Sequence, residues 1–271
     1  MATDDQPLEG EWAVILGASS GFGEAVALEL AACGMNIVGV HLDRKSTLPN
    51  AERIQGAIHA LGREALFYNV NAADAEKRRT VIEAIRTKCR TAGSSGTVRV
   101  LFHSLAFGTL KRFITDKPGD AVSQSQMEMT LDVMANSLVY WVQALYAEGL
   151  MGRGGRIFAM TSAGGARVWS TYGAVSAAKA ALESHIRQLT LELAPMGITA
   201  NAIMAGVTDT PALRKIPGSD TMIDMAQRKN PSGRLTTPKD VADVIGLLSH
   251  PKTHWLTGNV LYVDGGEFIV D

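Results

Sequence analysis

The sequence predicts a single α/β domain in which helices cover both faces of a sheet of seven parallel strands. Short apolar runs rich in Val, Ile and Leu alternate with longer amphipathic segments along the chain. Strands that alternate with helices are typical of parallel βαβ units. No linker interrupts this alternation, and 271 residues lie within the range of single α/β domains. The chain is therefore expected to form one doubly wound unit.

The predicted elements follow one another in a regular order. The strand candidates are short apolar runs that suit buried strands, at Trp12–Leu16, Asn36–Val40, Ala65–Val70, Val98–His103, Arg156–Met160, Ile198–Ile203 and Asn259–Val263. The helix candidates have helical length and periodicity, at Gly21–Cys33, Ala51–Leu61, Ala73–Thr91, Gln124–Glu148, Tyr172–Leu193 and Val241–Leu248. Gly93–Thr97 is expected to be a loop before the fourth strand.

Composition argues against several classes of protein. Lys and Arg total 26 against 27 Asp and Glu, for a net charge of −1, so there is no electrostatic basis for binding nucleic acid or an anionic membrane. The two cysteines, Cys33 and Cys89, form neither a disulfide framework nor a zinc pattern, and the simplest location is a reducing, cytoplasmic one. The sequence has no apolar run long enough to span a membrane. Met1–Gln6 is acidic and lacks the apolar core of a secretory signal.

A glycine-rich loop follows the first strand directly. Glycines at the first, fifth and seventh positions of this loop permit a tight turn and a close approach of the backbone to a ligand. The helix that follows presents free N–H groups and the positive end of its dipole. Between a first strand and a first helix this pattern indicates a Rossmann-type site for the pyrophosphate of a dinucleotide. The expected contacts come from Gly17, Ser19, Ser20, Gly21, Phe22 and Gly23.

Tyr172 and Lys179 are seven residues apart, which is two helical turns or about 10 Å. Both side chains are therefore expected on one face of a helix. On that face a phenol can supply a proton or a hydrogen bond, while an ammonium group can hold a ribose and lower the pKa of the phenol. The alternative is a surface Lys and a half-buried Tyr without a shared function.

Four motifs in order resemble the short-chain dehydrogenase/reductase superfamily over nearly the whole chain. They are the glycine loop, the Tyr–Lys helix, the run Leu193–Ile203 and the ending Val263–Gly266. In most of that superfamily the Tyr precedes the Lys by four residues, where this chain has Val175. The spacing of seven is similar to that of enoyl-acyl-carrier-protein reductases, as is the sequence His103-Ser104-Leu105 at the end of the fourth strand.

Two further positions bear on the reaction. Ser162 occupies the place of the substrate-orienting Ser of the superfamily, whereas many enoyl reductases have an extra Tyr there. A Ser also occurs there in enoyl reductases with the ordinary glycine motif. Met134 occupies the place where ketone-reducing members usually keep a catalytic Asn, and Asn136 is two residues away. The loss of that Asn favours reduction of an enoyl group over reduction of a carbonyl.

The resemblance implies roles for the catalytic residues. In an enoyl reductase, hydride reaches the β-carbon of a trans-2-enoyl thioester and negative charge develops on the thioester oxygen. Tyr172 is expected to stabilise that oxygen, and Lys179 to hold the nicotinamide ribose. Ser162 either bonds substrate or Tyr172, or is an ordinary residue at a strand end. His103 is expected to be neutral and packed against the cofactor rather than to act as an acid or base.

The cofactor prediction is NADPH, with NADH as the alternative. His41 ends the second strand, where an NAD enzyme often has Asp, and Arg44 and Lys45 follow and can pair with a 2′-phosphate. Asp43 argues the other way, because it can bind a ribose or neutralise Arg44. The other expected cofactor contacts are Asn69 and Val70 beside the adenine, together with Ser104, Gly206, Thr208 and Thr210.

Two features of the chain concern substrate access and assembly. The segment Gly206–Gly233 is expected to be a substrate lid. The helices Gln124–Glu148 and Tyr172–Leu193 are apolar beyond one stripe, at Trp141 and Leu145 among other positions, and such faces must be covered. The resemblance implies that these two helices pair with their copies in a neighbouring subunit, through faces that include Trp141 and Leu145, and so form a homotetramer with two-fold interfaces. It also implies that the substrate is an enoyl thioester of acyl carrier protein or coenzyme A. The alternatives are a carbonyl or 3-ketoacyl reductase using Ser162 and Tyr172, and a catalytically inactive dinucleotide-binding protein.

Overall fold

The computed structural model describes residues 7–91 and 97–270. The strands form one parallel sheet in the order β3-β2-β1-β4-β5-β6-β7, which confirms the predicted seven-stranded doubly wound α/β domain. Their bounds are β1 Trp12–Leu16, β2 Asn36–His41, β3 Ala65–Asn69, β4 Val98–His103, β5 Arg156–Thr161, β6 Thr199–Ala205 and β7 Val260–Val263. Each lies within two residues of its predicted bounds. The predicted loop Gly93–Thr97 lies mostly outside the described residues, as does Met1–Gln6.

The sheet is covered on both faces, because successive residues of each strand point to opposite sides. In β1, Trp12, Val14 and Leu16 enter one apolar cluster, and Ala13 and Ile15 enter the other. All five are essentially inaccessible to solvent. Burial on both faces explains why the strands are continuous apolar runs without alternation.

Eight α-helices connect the strands in the described part of the chain. They are α1 Gly21–Ala32, α2 Leu48–Ala60, α3 Ala75–Thr91, α4 Gln124–Leu131, α5 Ser137–Ala147, α6 Gly173–Leu193, α7 Ser219–Lys229 and α8 Pro238–Leu248. Helix α7 lies in the segment expected to be a lid and was not predicted as a helix. Helix α2 begins three residues before the prediction, and so does α8, whose first turn is closed by a capping box between Thr237 and Asp240.

The predicted single helix Gln124–Glu148 is interrupted. A π-helical turn, Asp132–Asn136, separates α4 from α5. Beside it, Ser137 Oγ donates to Val133 O at 2.8 Å and lies 2.9 Å from His103 Nε2. Wider turns of this kind occur frequently at functional sites. The periodicity of the sequence did not reveal it, because the contact with β4 is between residues distant in sequence.

The apolar residues expected to meet another subunit are covered within the chain. Trp141 and Leu145 have no exposed surface, and Trp141 Nε1 donates to Ala72 O at 2.9 Å. The prediction that these two side chains form a subunit contact is therefore wrong.

No helix in the described ranges is long and apolar enough to cross a membrane.

Candidate active site

The strand order reverses between β1 and β4, so the loops after these strands diverge and leave a crevice at the carboxyl edge of the sheet. The two loops touch at its base, where Ser104 N donates to Leu16 O at 2.8 Å. A Cβ on Gly17, whose φ is +93°, would lie 2.5 Å from Ser104 O. A Cβ on Gly23 would overlap Gly17 O. Both positions therefore exclude side chains, and the loop is shaped for close approach to its backbone.

Helix α1 begins within this loop, at Gly21, and its N-cap Ser20 makes no side-chain capping bond. The first N–H groups of the helix are thus available to a ligand. Thr210 lies against the loop, since its Cγ2 is 3.5 Å from the position of a Cβ on Gly21. Thr208 is buried and its hydroxyl donates to Gly206 O at 2.9 Å. The predicted contacts after β1 and after β6 therefore meet at one place.

A third group of predicted residues lies at the ends of β2 and β3. His41 is buried, and its Nδ1 is 2.8 Å from Asp43 Oδ2. Asn69 holds the backbone of Asp43 from both sides, accepting from its N–H at 2.8 Å and donating to its carbonyl at 3.0 Å. Burial acts to raise the pKa of Asp43, but hydrogen bonds from Ser19, Thr47 and His41 hold it below its ordinary value. An ionised carboxylate therefore lies beside the glycine loop.

The basic residues in the segment after β2 are exposed to solvent. Arg44 and Lys45 are both exposed, and the carbonyl of Arg44 accepts from the N–H groups of Thr47 and Leu48. Val70, by contrast, is held next to β2 by a 2.8 Å bond from its N–H to His41 O. Asp43 is paired with His41, so it is not a simple neutralising partner of Arg44.

Tyr172 and Lys179 both approach the end of β5. Tyr172 is the N-cap residue of α6, and its ring lies so close to Gly164 that a Cβ on that glycine would overlap Cε1. Ser162 Oγ accepts from Gly164 N at 3.1 Å. Burial raises the pKa of Tyr172, and a hydrogen bond with Ser162 opposes this effect. The expectation that Lys179 lowers this pKa is wrong in the structure, where the opposing contribution comes from Ser162.

Lys179 is buried within α6, and its Nζ donates to Met160 O at 2.7 Å. Burial lowers the pKa of Lys179 to about 8, and Glu183 acts in the opposite direction. Glu183 Oε1 also accepts from Thr161 Oγ1 at 2.6 Å. Glu183 was not predicted as a site residue, although its spacing of four residues from Lys179 places both on one helix face. That spacing was the available signal.

His103 is fully buried at the end of β4. Burial and the charge of Lys179 lower its pKa to about 3. The hydroxyl hydrogen of Ser137 is donated to Val133 O, so Nε2 of His103 acts as the donor to Ser137 Oγ. Nδ1 is buried without a partner among the described residues. The ring is therefore neutral, as expected, and does not suit an acid or base, while its packing against the cofactor stays a prediction.

The two positions that depart from carbonyl-reducing members are apolar and adjacent. A Cβ on Gly108 would lie 2.8 Å from Met134 Sδ and from Val175 Cγ2. The backbone after β4 therefore fills the space between these residues. Asn136 points elsewhere, with its Oδ1 3.1 Å from His185 Nε2.

These residues fit a nicotinamide dinucleotide. The glycine cradle admits only backbone at Gly17 and Gly23, which suits a pyrophosphate. One of the three N–H donors of Lys179 is used within the described chain, and the others suit ribose hydroxyls. No group of His, Cys, Asp and Glu in the described ranges could hold a metal ion. The site therefore combines an anion cradle, a buried cation and a neutral phenol.

Several known proteins are similar to this chain in sequence. Residues 17–267 match the family model described as enoyl-(acyl carrier protein) reductase. The 1-cyclohexenylcarbonyl-CoA reductase of Streptomyces collinus is 27% identical over 264 residues, covering 95% of this chain and 86% of that protein. The enoyl-acyl-carrier-protein reductase (NADH) of Nostoc sp. is 32% identical over 208 residues, covering 76% of each. The 3-oxoacyl-acyl-carrier-protein reductase of Pseudomonas aeruginosa is 28% identical over 266 residues, covering 97% and 99%.

Solved structures have the same fold. The Bacillus cereus enoyl-acyl carrier protein reductase with NADP+ superposes with a TM-score of 0.84 at 24% identity, covering 97% of this chain and 98% of that one. The enoyl-acyl-carrier-protein reductase (NADH) of Aquifex aeolicus gives a TM-score of 0.81 at 25% identity, with the same coverage.

Proposed function

Since the chain belongs to the enoyl-(acyl carrier protein) reductase family of the short-chain dehydrogenases/reductases, a group of oxidoreductases, we propose that it reduces the trans-2 double bond of an enoyl thioester. The observation that carries this proposal is the position of the phenol. Tyr172 lies at the N-terminus of α6, one turn further from Lys179 than Val175 does, and Val175 is packed with Met134 around Gly108. The ordinary position of the carbonyl-reducing Tyr is thus apolar and filled.

The displacement of the phenol suits a thioester. In an enoyl thioester the oxygen that gains charge is two atoms from the carbon that receives hydride, whereas in a ketone it is bonded to that carbon. A phenol one helical turn further along the cleft, about 5 Å, matches the longer separation. Burial keeps Tyr172 neutral at pH 7, so it can donate to the developing oxyanion.

The other residues of the site position the cofactor and the substrate and exclude water. A bound nicotinamide cofactor supplies the hydride. Lys179, held by Met160 O, offers its remaining donors to the ribose, and Ser162 orients Tyr172 or the substrate. Thr208 and Thr210 are suited to the carboxamide or the phosphates. Segment 206–233, called the lid segment below, is proposed to cover the acyl chain and exclude water.

For the cofactor we propose NADPH, with Arg44 and Lys45 as the groups that bind its 2′-phosphate. The second candidate, NADH, is favoured by Asp43, whose carboxylate lies beside Ser19 and suits a ribose hydroxyl rather than a phosphate. The carrier of the acyl group is acyl carrier protein or coenzyme A, and we propose a cytoplasmic homotetramer in fatty-acid synthesis.

The carbonyl-reductase alternative is kept because Ser162 and Tyr172 are adjacent and a 3-oxoacyl reductase is among the relatives. The deciding experiment follows the loss of nicotinamide absorbance with a crotonyl thioester and, separately, an acetoacetyl thioester. Enoyl reduction predicts turnover of the first and little of the second. The reverse result would assign carbonyl reduction, and inactivity with both would favour the inactive dinucleotide-binding protein.

A further inference from the structure

A four-residue turn leads directly into Tyr172. The N–H of Tyr172 donates to Trp169 O at 3.2 Å, so the turn runs from Trp169 through Ser170 and Thr171 to Tyr172. Thr171, its third residue, has φ +68°. It is the single non-glycine residue with positive φ in the described ranges. A positive φ at the third position is the signature of a turn that usually carries Gly or Asn there.

Threonine is an unfavourable residue for this conformation. A β-branched side chain with positive φ is a genuine outlier, and such strain persists only where the surroundings impose it. The hydroxyl of Thr171 does not offset the strain by a local bond, because Oγ1 is buried without a partner within the described chain. Local stability therefore does not explain this residue, and strained residues concentrate at active sites.

The turn determines where the phenol points. Tyr172 has φ −90° and ψ 0° as the N-cap of α6, and its carbonyl accepts from Ser176 N at 2.8 Å. Its backbone is thus held by the helix on one side and by the strained turn on the other. The ring extends over Gly164 toward Ser162. Any relaxation of Thr171 would rotate the direction from which this ring leaves the backbone.

The first residue of the turn contacts the lid segment. Trp169 Nε1 donates to Pro217 O at 3.2 Å. The position of a Cβ on Gly218 is 3.3 Å from Trp169 Cζ2, immediately before α7. The same residue thus bonds the lid segment through its side chain and Tyr172 through its carbonyl.

We propose that Thr171 and Trp169 are positioning residues for Tyr172. The left-handed backbone of Thr171 holds the phenol over Gly164, and Trp169 makes that placement depend on the seating of the lid segment. The proposal rests on the proposed function, in which Tyr172 donates to the thioester oxygen. It assigns to the turn a coupling between substrate enclosure and the catalytic donor.

The first test is Thr171→Gly. Glycine adopts positive φ freely, so the melting temperature should stay the same or rise, while kcat falls about 10-fold or more because the ring loses its fixed direction. The KM for the nicotinamide cofactor should change less than about twofold, since the cradle is untouched. Thr171→Asn, which tolerates positive φ but retains a Cβ, should restore most of kcat. The control is Val168→Gly, because Val168 is 98% exposed in the same loop.

The second test is a double-mutant cycle with Trp169→Phe, which removes the N–H bond to Pro217 O and keeps an aromatic ring. If both residues act through one turn, their effects on kcat are non-additive. Additive losses overturn the coupling. Any one of three results overturns the positioning role. The first is that Thr171→Gly keeps kcat within about twofold of wild type. The second is that Thr171→Gly loses kcat together with a lower melting temperature, which indicates general destabilisation. The third result is a loss of activity in Val168→Gly as large as that in Thr171→Gly.

Tyr172→Phe is measured in parallel, so that failure of the positioning role can be distinguished from failure of the proposed function. An inactive Tyr172→Phe with an active Thr171→Gly contradicts the positioning role alone. A fully active Tyr172→Phe contradicts the proposed function and the positioning role together.

Discussion

Tyr172 and Lys179 approach the same end of β5, but burial has opposite effects on them. It raises the pKa of the phenol and lowers that of the ammonium to about 8. Desolvation disfavours the charged form of each. The phenol therefore stays a neutral donor at pH 7, whereas the cation is maintained in part by Glu183. The proposed catalytic pair thus consists of two groups whose pKa values are shifted separately, by burial, at one strand end.

At the residue scale, Tyr172→Phe should preserve the fold and cofactor binding and reduce turnover by about 10²-fold, because one hydrogen bond to the oxyanion is lost. Steady-state kinetics with a crotonyl thioester check this result, with cofactor affinity measured by fluorescence titration as the control. Turnover near the wild-type rate would remove Tyr172 from the mechanism.

Lys179→Ala should lower kcat and raise the KM for the cofactor, because the ammonium binds ribose in both the ground and transition states. In the wild-type enzyme, kcat/KM for the cofactor should fall above about pH 8. The sign follows from the charge, since Lys179 is protonated below its pKa and neutral above it. A pure kcat effect with unchanged cofactor affinity would indicate a proton relay instead.

At the scale of elements, the segment after β2 carries opposed signals for the cofactor. Arg44 and Lys45 are exposed, and Asp43 is held by His41 and Asn69. Long flexible cations can move to a bound phosphate, whereas the carboxylate is already fixed beside the glycine loop. The choice between NADPH and NADH therefore depends on which of these groups faces the adenosine ribose.

Replacing Arg44 and Lys45 together by Ala should weaken NADPH far more than NADH, because NADPH alone carries the 2′-phosphate. The matched variant Asp43→Asn should raise kcat/KM for NADPH relative to that for NADH, because it removes a negative charge that would repel the 2′-phosphate. Both are measured as kcat/KM for each cofactor. Equal losses for the two cofactors in the double variant would show that the basic pair does not read the phosphate.

At the scale of the whole molecule, some of the large exposed apolar side chains lie on the edge strand β7 or on segments beside it. Leu191, Trp255 and Tyr262 are 72%, 89% and 51% exposed, respectively. Groups of large exposed apolar residues commonly mark contacts with another chain. With Trp141 and Leu145 buried inside the chain, this surface is the better place to test the proposed assembly.

Light scattering at micromolar concentration should give four times the 28.9 kDa monomer mass. Trp255→Glu should reduce that mass, because a charge in a buried contact is costly. The control is Lys252→Glu, at an exposed residue of the same region. A wild-type mass near that of the monomer would refute the homotetramer.

The buried His103 should make stability depend on pH. Its folded-state pKa of about 3 lies below the unfolded value of about 6.5. Between these values the unfolded chain binds a proton that the folded chain does not. The contribution of His103 to the free energy of unfolding should therefore be fully present above about pH 6.5. It should decrease as the pH falls below that value, by up to about 1.4 kcal/mol per pH unit.

Urea unfolding at several pH values checks this dependence. The slope of unfolding free energy against pH should become shallower in His103→Gln and remain in His254→Gln, at an exposed histidine. An unchanged slope in His103→Gln would show that another group is responsible.

The sequence alone determined the strand positions, the parallel order implied by βαβ units, and the glycine loop, because each depends on local pattern or on a single residue type. The crevice itself also follows from the sequence, since loops after parallel strands meet at one edge of the sheet. Those signals need no knowledge of distant contacts.

Only the tertiary structure decided the rest. The π-helical turn lies beside a contact between His103 of β4 and Ser137 of α5. Burial raises the pKa of Tyr172, whose ring packs against Gly164. Trp141 is buried within the chain and donates to Ala72 O. Thr171 reads in the sequence as an ordinary loop residue, and its positive φ arises from the turn into α6. Each of these features is set by groups far apart in sequence or by a backbone conformation that the residue type itself disfavours, so no local pattern could predict it.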